Sequence, residues 1–206
     1  RLVCRLIQIT CKGILLLATA VKKEHINKAN ERFRHPAIII ANHQSFIDIL
    51  VLLSLSSKIL MVTNHWVWHS PFFGAIIRYV DFYYIGEGYE QYMERMRKKV
   101  KEGYSIAIFP EGTRVAPGQK KRYKAGGAYL ATHVGCKVVP IAHDAGALWP
   151  RQSFLKKPGT VTISIGPAFD TSGMSEGEVN QRAEAWIEAE MQRISPHRYP
   201  DAQRNT

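Results

Sequence analysis

Short apolar runs separated by polar turns and amphipathic stretches set the pattern of this chain. Residues 37–41, 58–63, 105–109 and 137–142 are each five or six residues long and largely apolar, residues 81–85 are aromatic and apolar, and residues 160–166 read as a last strand. Runs of this length without polar alternation predict strands buried on both faces, as in parallel sheets. Between them the period changes. Residues 49–55 read as a buried helix. Residues 87–102 place Tyr89, Tyr92, Met93, Met96 and Val100 at three- and four-residue spacing, which predicts an amphipathic helix closed by Gly103. Residues 124–135 predict a helix whose small residues (Ala125, Gly126, Gly127, Ala128) allow close packing on the sheet. Residues 175–194 predict another, with Val179, Ala183, Trp186, Ile187 and Ile194 on its apolar side. Strands alternating with helices predict an α/β fold.

The ends read differently. Residues 1–21 mix Arg1, Arg5 and Lys12 with apolar positions and finish in an apolar run too short for the ~20 residues that span a bilayer. Two readings stand: an interfacial helix with basic residues toward anionic headgroups, or a core helix of the globular domain. A signal peptide fits poorly, since no clear cleavage site follows. Residues 22–36 are polar and charged and predict a connection. The expected organisation is an N-terminal amphipathic, membrane-associated helix over 1–24, one domain over 25–195 and a loose tail over 196–206. No internal repeat or low-complexity segment interrupts it.

Composition adds three constraints. The 206 residues suit one domain, and 46% apolar content is enough for a substantial core. Twenty-eight basic against 17 acidic side chains give a net charge of +11, which favours an anionic partner. Phosphate substrate, acidic membrane surface and nucleic acid share that chemistry, but no nucleic-acid-binding motif is present, so nucleic acid is not expected. Cys4, Cys11 and Cys136 are odd in number without metal-ligand spacing, and predict reduced, buried thiols and no metal site. The chain opens at Arg1 without methionine, which reads as a fragment or a processed form.

Candidate chemistry concentrates where the first of these apolar runs ends. Asn42-His43-Gln44-Ser45-Phe46-Ile47-Asp48 lies between a predicted strand and a predicted helix, and ligands bind at that edge of α/β sheets. Residues five apart on one helix diverge by about 140°. His43 can therefore meet Asp48 only from the entering turn. A carboxylate on one imidazole nitrogen fixes the tautomer and strengthens the other as a base. Ser45 followed three residues later by Asp48 also fits a capping box, with His43 an ordinary loop histidine; the two arrangements are compatible.

A second polar loop, Pro110-Glu111-Gly112-Thr113-Arg114, follows the run at 105–109 and should reach the same edge if the strands are parallel. Arg114 offers a planar fork for phosphate oxygens, Gly112 permits backbone approach to an anion, and Thr113 adds a hydroxyl. Good turn chemistry explains the same residues. His143-Asp144 forms a third polar loop at that edge. Residues 64–79, with Trp66, Trp68, Pro71, Phe72, Phe73 and Gly74, wall an acyl-chain pocket or fill core.

Four blocks in this order, Asn42-His43 with Asp48, Pro71-Phe72-Phe73-Gly74, Phe109-Pro110-Glu111-Gly112-Thr113-Arg114, and Val139-Pro140-Ile141-Ala142-His143, closely resemble the motifs of the 1-acylglycerol-3-phosphate acyltransferase family, bacterial type. The resemblance covers residues 37–167. It implies a mixed, largely parallel sheet flanked by helices, an acyl thioester donor (acyl-CoA or acyl carrier protein), a lysophospholipid acceptor, and no cofactor or metal. It implies His43 as the base that deprotonates the acceptor hydroxyl and Asp48 as the group that orients it. Glu111, Gly112, Thr113 and Arg114 then bind the acceptor phosphate. Residues 71–74 shape the acceptor and acyl site, and Pro140 lies near the donor. Asn42 completes the substrate-binding set. The expected location is membrane-associated, at the cytoplasmic face of the inner membrane. Two positions depart from the family pattern. Asn64-His65 stand where many members carry lysine, and Ile85-Gly86-Glu87-Gly88 stand where many carry an acidic or amide residue followed by arginine.

Overall fold

The computed structural model describes residues 2–18, 20–26, 30, 33, 35–63, 65–70, 83–84, 88–150 and 157–198. The expectations for residues 71–74 lie outside these. Helix α1 (Leu2–Ala18) leads into strand β1 (Ala20–Ile26). Strand β2 (Ile38–Ala41), helix α2 (Ile47–Leu55), strand β3 (Ile59–Thr63), the short helix α3 (His65–Trp68) and strand β4 (Tyr83–Tyr84) follow. Helix α4 (Tyr89–Lys101), strand β5 (Ser105–Ile108), helix α5 (Gly126–Val134) and strand β6 (Val138–His143) come next. Strand β7 (Thr160–Ile165) and helix α6 (Glu176–Ile194) complete the described elements.

The strands form one seven-stranded sheet in the order β1-β7-β6-β2-β5-β3-β4. Every neighbouring pair is parallel except β6 and β7, which are antiparallel. The mixed, largely parallel α/β sheet expected from the sequence is therefore the observed architecture.

Strand β2 shows why its sequence is apolar without alternation. Ile38 and Ile40 pack into the layer formed with α4, α5 and α6, while Ile39 and Ala41 pack into the layer formed with α1 and α2. Successive side chains of a strand point to opposite faces, so a strand covered on both sides must be apolar at every position. The same rule orders β6, where Val139 and Ile141 face the α2 layer and Val138 and Ala142 face the other. Helix α2 is buried on nearly all sides (Ile47, Asp48, Val51, Leu52, Leu53, Ser54 and Leu55), which explains its lack of a polar face.

Two boundaries differ from the sequence pattern. Helix α1 ends at Ala18, and residues 20–26 run as a strand at the sheet edge where a polar connection was predicted. Lys22, Lys23 and Glu24 disguise this strand. A charged run of this kind has the composition of a connection.

Helix α1 packs against α2, with the Gln8 side chain donating to the Ser54 carbonyl at 3.2 Å and with Cys11 and Leu15 buried. Its other side leaves Leu6, Ile9, Leu16 and Leu17 exposed. Among the described residues no helix is long and apolar enough to cross a membrane. Cys11 and Cys136 are free and buried, and burial pushes both thiols above their usual range, as expected of inert core cysteines.

Candidate active site

Parallel strands β2, β5 and β6 lie side by side, so the loops that leave their carboxyl ends emerge on one edge. They meet at His43. The His43 Nδ1 lies 2.8 Å from Asp48 Oδ2. The same oxygen accepts the backbone N–H groups of Gln44 (2.6 Å) and Ser45 (2.7 Å). Because a carboxylate only accepts, Nδ1 carries a ring proton, and in the neutral imidazole Nε2 then keeps its lone pair. Asp48 is fully buried, whereas 17% of the His43 side chain stays exposed.

Half of the capping-box reading is realised. The Asp48 carboxylate reaches back to the Ser45 N–H, but Ser45 Oγ accepts from Ile47 N (3.4 Å) and α2 begins with no side-chain cap at Phe46. The cap and the imidazole share one carboxylate oxygen.

The β5 loop holds the other side of the ring. Phe109 stacks on the imidazole, with ring centres 4.0 Å apart and planes 10° from parallel. Glu111 Oε2 accepts the His43 backbone N–H at 2.7 Å, and the Val115 N–H donates to the His43 carbonyl at 2.7 Å. The β5 loop thus fixes both backbone polar groups of His43. Gly112 makes this turn possible. Its φ is +66°, and a Cβ there would lie 2.8 Å from Lys124 Nζ. Thr113 and Arg114 follow, half-buried, on the same loop.

Glu111 is an unusual carboxyl. Burial pushes its pKa up to about 8; the His43 N–H and Lys121 oppose that shift, while Asp48 and Glu184 add to it. A carboxyl raised on folding stays protonated in the native protein after the unfolded chain has ionised. Its stabilising contribution is complete below the ordinary glutamate value near 4.5 and is lost as pH climbs to about 8. The Glu111→Gln variant keeps an oxygen for the His43 N–H and cannot ionise. Its melting temperature should therefore fall less steeply than wild type between pH 5 and pH 9, as followed by circular dichroism. Parallel curves for the two proteins would show that Glu111 ionises as readily in the fold as in the unfolded chain.

The β6 loop supplies the third side. The Asn42 amide pairs with the backbone of His143, donating to its carbonyl (2.8 Å) and accepting its N–H (3.0 Å). This clamp ties the ends of β2 and β6 together. Gln44 Oε1 accepts the Gly146 N–H at 3.3 Å, and a Cβ on Gly146 would come within 2.5 Å of Gln44 Cβ, so the two loops interlock without room for a larger residue. Pro140 sits inside β6, buried, opposite Ile40 of β2. Among the described residues no group of three or more His, Cys, Asp or Glu side chains could hold a metal ion.

His43, Asp48, Glu111, Gly112, Thr113 and Arg114 are therefore gathered on one edge. Residues 71–74 are the sequence-predicted site residues outside the described regions. Phe109, quoted in its motif for pattern alone, turns out to be the ring's stacking partner. Gln44 was missed. Its position between two motif residues was the available signal, and only the neighbouring β6 loop gives that position its meaning.

Fold and site together define an α/β protein whose chemistry-bearing loops leave one edge of a largely parallel sheet and converge on a carboxylate-bound histidine. The chain belongs to the Acyltransferase family, whose sequence model matches residues 19–144. It is 35% identical over 169 residues to the 1-acyl-sn-glycerol-3-phosphate acyltransferase of Pseudomonas aeruginosa, covering 78% of this chain and 66% of that protein. It is 28% identical over 156 residues to the enzyme of that name from Cocos nucifera, covering 72% of this chain and 50% of the relative. The chain thus spans less than two thirds of the length of these curated relatives. In fold it is similar to the crystal structure of the 1-acyl-sn-glycerophosphate acyltransferase PlsC from Thermotoga maritima, with a TM-score of 0.78, 23% identity, and coverage of 93% of this chain and 79% of that one. The family resemblance drawn from the four motif blocks is borne out.

Proposed function

We propose that this chain carries the catalytic domain of a 1-acylglycerol-3-phosphate acyltransferase. It moves a fatty acyl group from an acyl thioester, acyl-CoA or acyl carrier protein, to the free hydroxyl of 1-acylglycerol-3-phosphate, giving phosphatidate. The observation that carries this reading is the 2.8 Å contact between a partly exposed imidazole and a fully buried carboxylate at the convergence of three loops. A neutral His43 with its proton on Nδ1 presents Nε2 as the base. The acceptor hydroxyl gives its proton to Nε2 as its oxygen attacks the thioester carbonyl carbon. The carbon–sulfur bond then breaks, and the departing thiolate takes the proton back from Nε2. Asp48 faces the imidazolium formed in between. No acyl-enzyme and no cofactor enter the sequence, and holding two substrates together supplies much of the acceleration.

In this reading Arg114 and the Gly112-Thr113 turn hold the acceptor phosphate, which suits a loop one turn from His43. A protonated Glu111 adds no negative charge beside that phosphate. Asn42 acts by clamping the β6 loop, Pro140 lies in the strand behind the donor site, and residues 71–74 shape the acceptor and acyl site. The exposed apolar side chains of α1, interspersed with exposed Arg5 and Lys12, support binding to an anionic membrane surface, where both lipids reside. That reading locates the enzyme at the cytoplasmic face of the inner membrane, with access to thioester donors.

The test is a panel of lysolipids, in vesicles, offered with one labelled acyl-CoA or acyl carrier protein, with products read by mass spectrometry. Phosphatidate from 1-acylglycerol-3-phosphate is the expected product. The departure from the family pattern at residues 85–88 makes the acceptor headgroup the point at issue. A different labelled phospholipid or aminolipid would reassign the acceptor and keep the chemistry. Absence of thiol release with every acceptor would reject the enzyme reading in favour of a membrane-surface binding protein.

A further inference from the structure

Asp48 has two oxygens, and the interactions described so far use one. Oδ2 takes the His43 ring and two backbone N–H groups, whereas Oδ1 is buried and has no hydrogen-bond partner among the described residues. Facing Oδ1 is a second imidazole. His143 Nδ1 lies 3.8 Å away, both side chains are fully buried, and neither ring nitrogen of His143 has a hydrogen-bond partner among the described residues. Dry polar groups rarely go unpaired, because each forfeits its hydration with nothing in return. An unpaired donor beside an unpaired acceptor is a pair waiting for a small adjustment. A shortening of about 0.6 Å brings the two within the usual N–H···O range.

The placement follows from strand geometry. Val139 and Ile141 face the α2 layer, and His143, two residues further along β6, points to that same face, where Asp48 heads α2. The backbone of His143 is fixed independently by the Asn42 amide. Its side chain can therefore be exchanged without releasing the clamp.

We propose that His143 is a positioning residue for the reaction: as the neutral Nδ1–H tautomer it holds the second oxygen of Asp48 and so keeps the carboxylate turned toward His43. A bare Nδ1 would set a lone pair against a carboxylate in a water-free site, which is repulsive. With the proton on Nδ1, Asp48 bridges two imidazoles, one reaching the substrate and one closing the core. His143 touches no reacting atom and acts through Asp48 alone. The inference rests on the assignment of His43 as base, and its test has one arm that does not.

That arm is nuclear magnetic resonance of ¹⁵N-histidine-labelled wild-type protein, with the His143 resonance assigned among the eight histidines by its disappearance in His143→Asn. The expected result is a protonated Nδ1 and a bare Nε2. The opposite tautomer overturns the proposal. The second arm is kinetic. His143→Leu leaves the buried Asp48 Oδ1 without that partner and should melt below wild type while still folding. Its kcat should fall about tenfold, the rate equivalent of one hydrogen bond, with KM for both substrates near wild type. His143→Asn, whose amide N–H replaces Nδ1–H, should recover most of that loss. A His143→Leu enzyme with wild-type kcat, or no recovery by asparagine in a folded protein, defeats the proposal. A fully active His43→Ala variant would instead remove the base assignment and leave the tautomer result standing.

Discussion

Replacing His43 by alanine is expected to lower kcat by about 10²–10⁴-fold, the usual contribution of a positioned general base, with little change in melting temperature. The two halves of this expectation come from different contacts. The imidazole contributes one hydrogen bond, to Asp48, and one ring stack, on Phe109. Without the ring, Asp48 Oδ2 keeps the N–H groups of Gln44 and Ser45, and the backbone of residue 43 keeps Glu111 and Val115. The loop therefore retains its supports while the reaction loses its base. Thiol release from acyl-CoA in the presence of lysophosphatidate, measured alongside a thermal melt, reads both. Turnover within a few-fold of wild type in a folded variant would remove His43 from the chemistry.

Asp48 is expected to behave differently, because one side chain serves both the loop and the base. In Asp48→Ala the buried N–H groups of Gln44 and Ser45 lose their acceptor. At about 1–3 kcal/mol for each stranded donor, the variant should unfold several degrees earlier and show almost no activity. Asp48→Asn separates the two roles. Its amide oxygen can still accept from the backbone, so the melt should stay close to wild type. It no longer presents a carboxylate to His43 Nδ1, so the tautomer that frees Nε2 is no longer enforced, and kcat should fall by about 10²–10⁴-fold, as for other carboxylate-buttressed histidines. An asparagine variant with full activity would deny Asp48 its orienting role. An alanine variant that melts like wild type would deny its structural one.

Much of this arrangement could be read from residue order. The apolar run at β2, closing in Asn42-His43 and followed by Asp48, placed an imidazole and a carboxylate at a strand-to-helix junction, and that junction is where both stand. The loop after β5 was assigned to the same edge on the assumption of parallel strands, and the register of Ile38–Ile40 against Ile106–Ile108 provides it. Strand β1 was not legible, because an edge strand needs little apolar content and its lysines resemble a connection. The two Ser-x-x-acid signals show the same boundary from another direction. Ser175 and Glu178 form a complete capping box at the start of α6. Ser45 and Asp48 match the same pattern, but their carboxylate is shared with an imidazole that approaches from the preceding turn. Local spacing cannot tell the two apart.

The sequence by itself determined the layer architecture and the edge where chemistry gathers, and it allowed the pairing of His43 with Asp48, because each depends on periodicity or on residues close together in the chain. Only the tertiary structure decided what surrounds that pair. Phe109, Glu111, Gln44, Asn42 and His143 come from three loops that are distant in the chain and adjacent in space only because β5, β2 and β6 lie side by side. Strand order is fixed by the packing of both sheet faces as a whole, and no short stretch of sequence carries it.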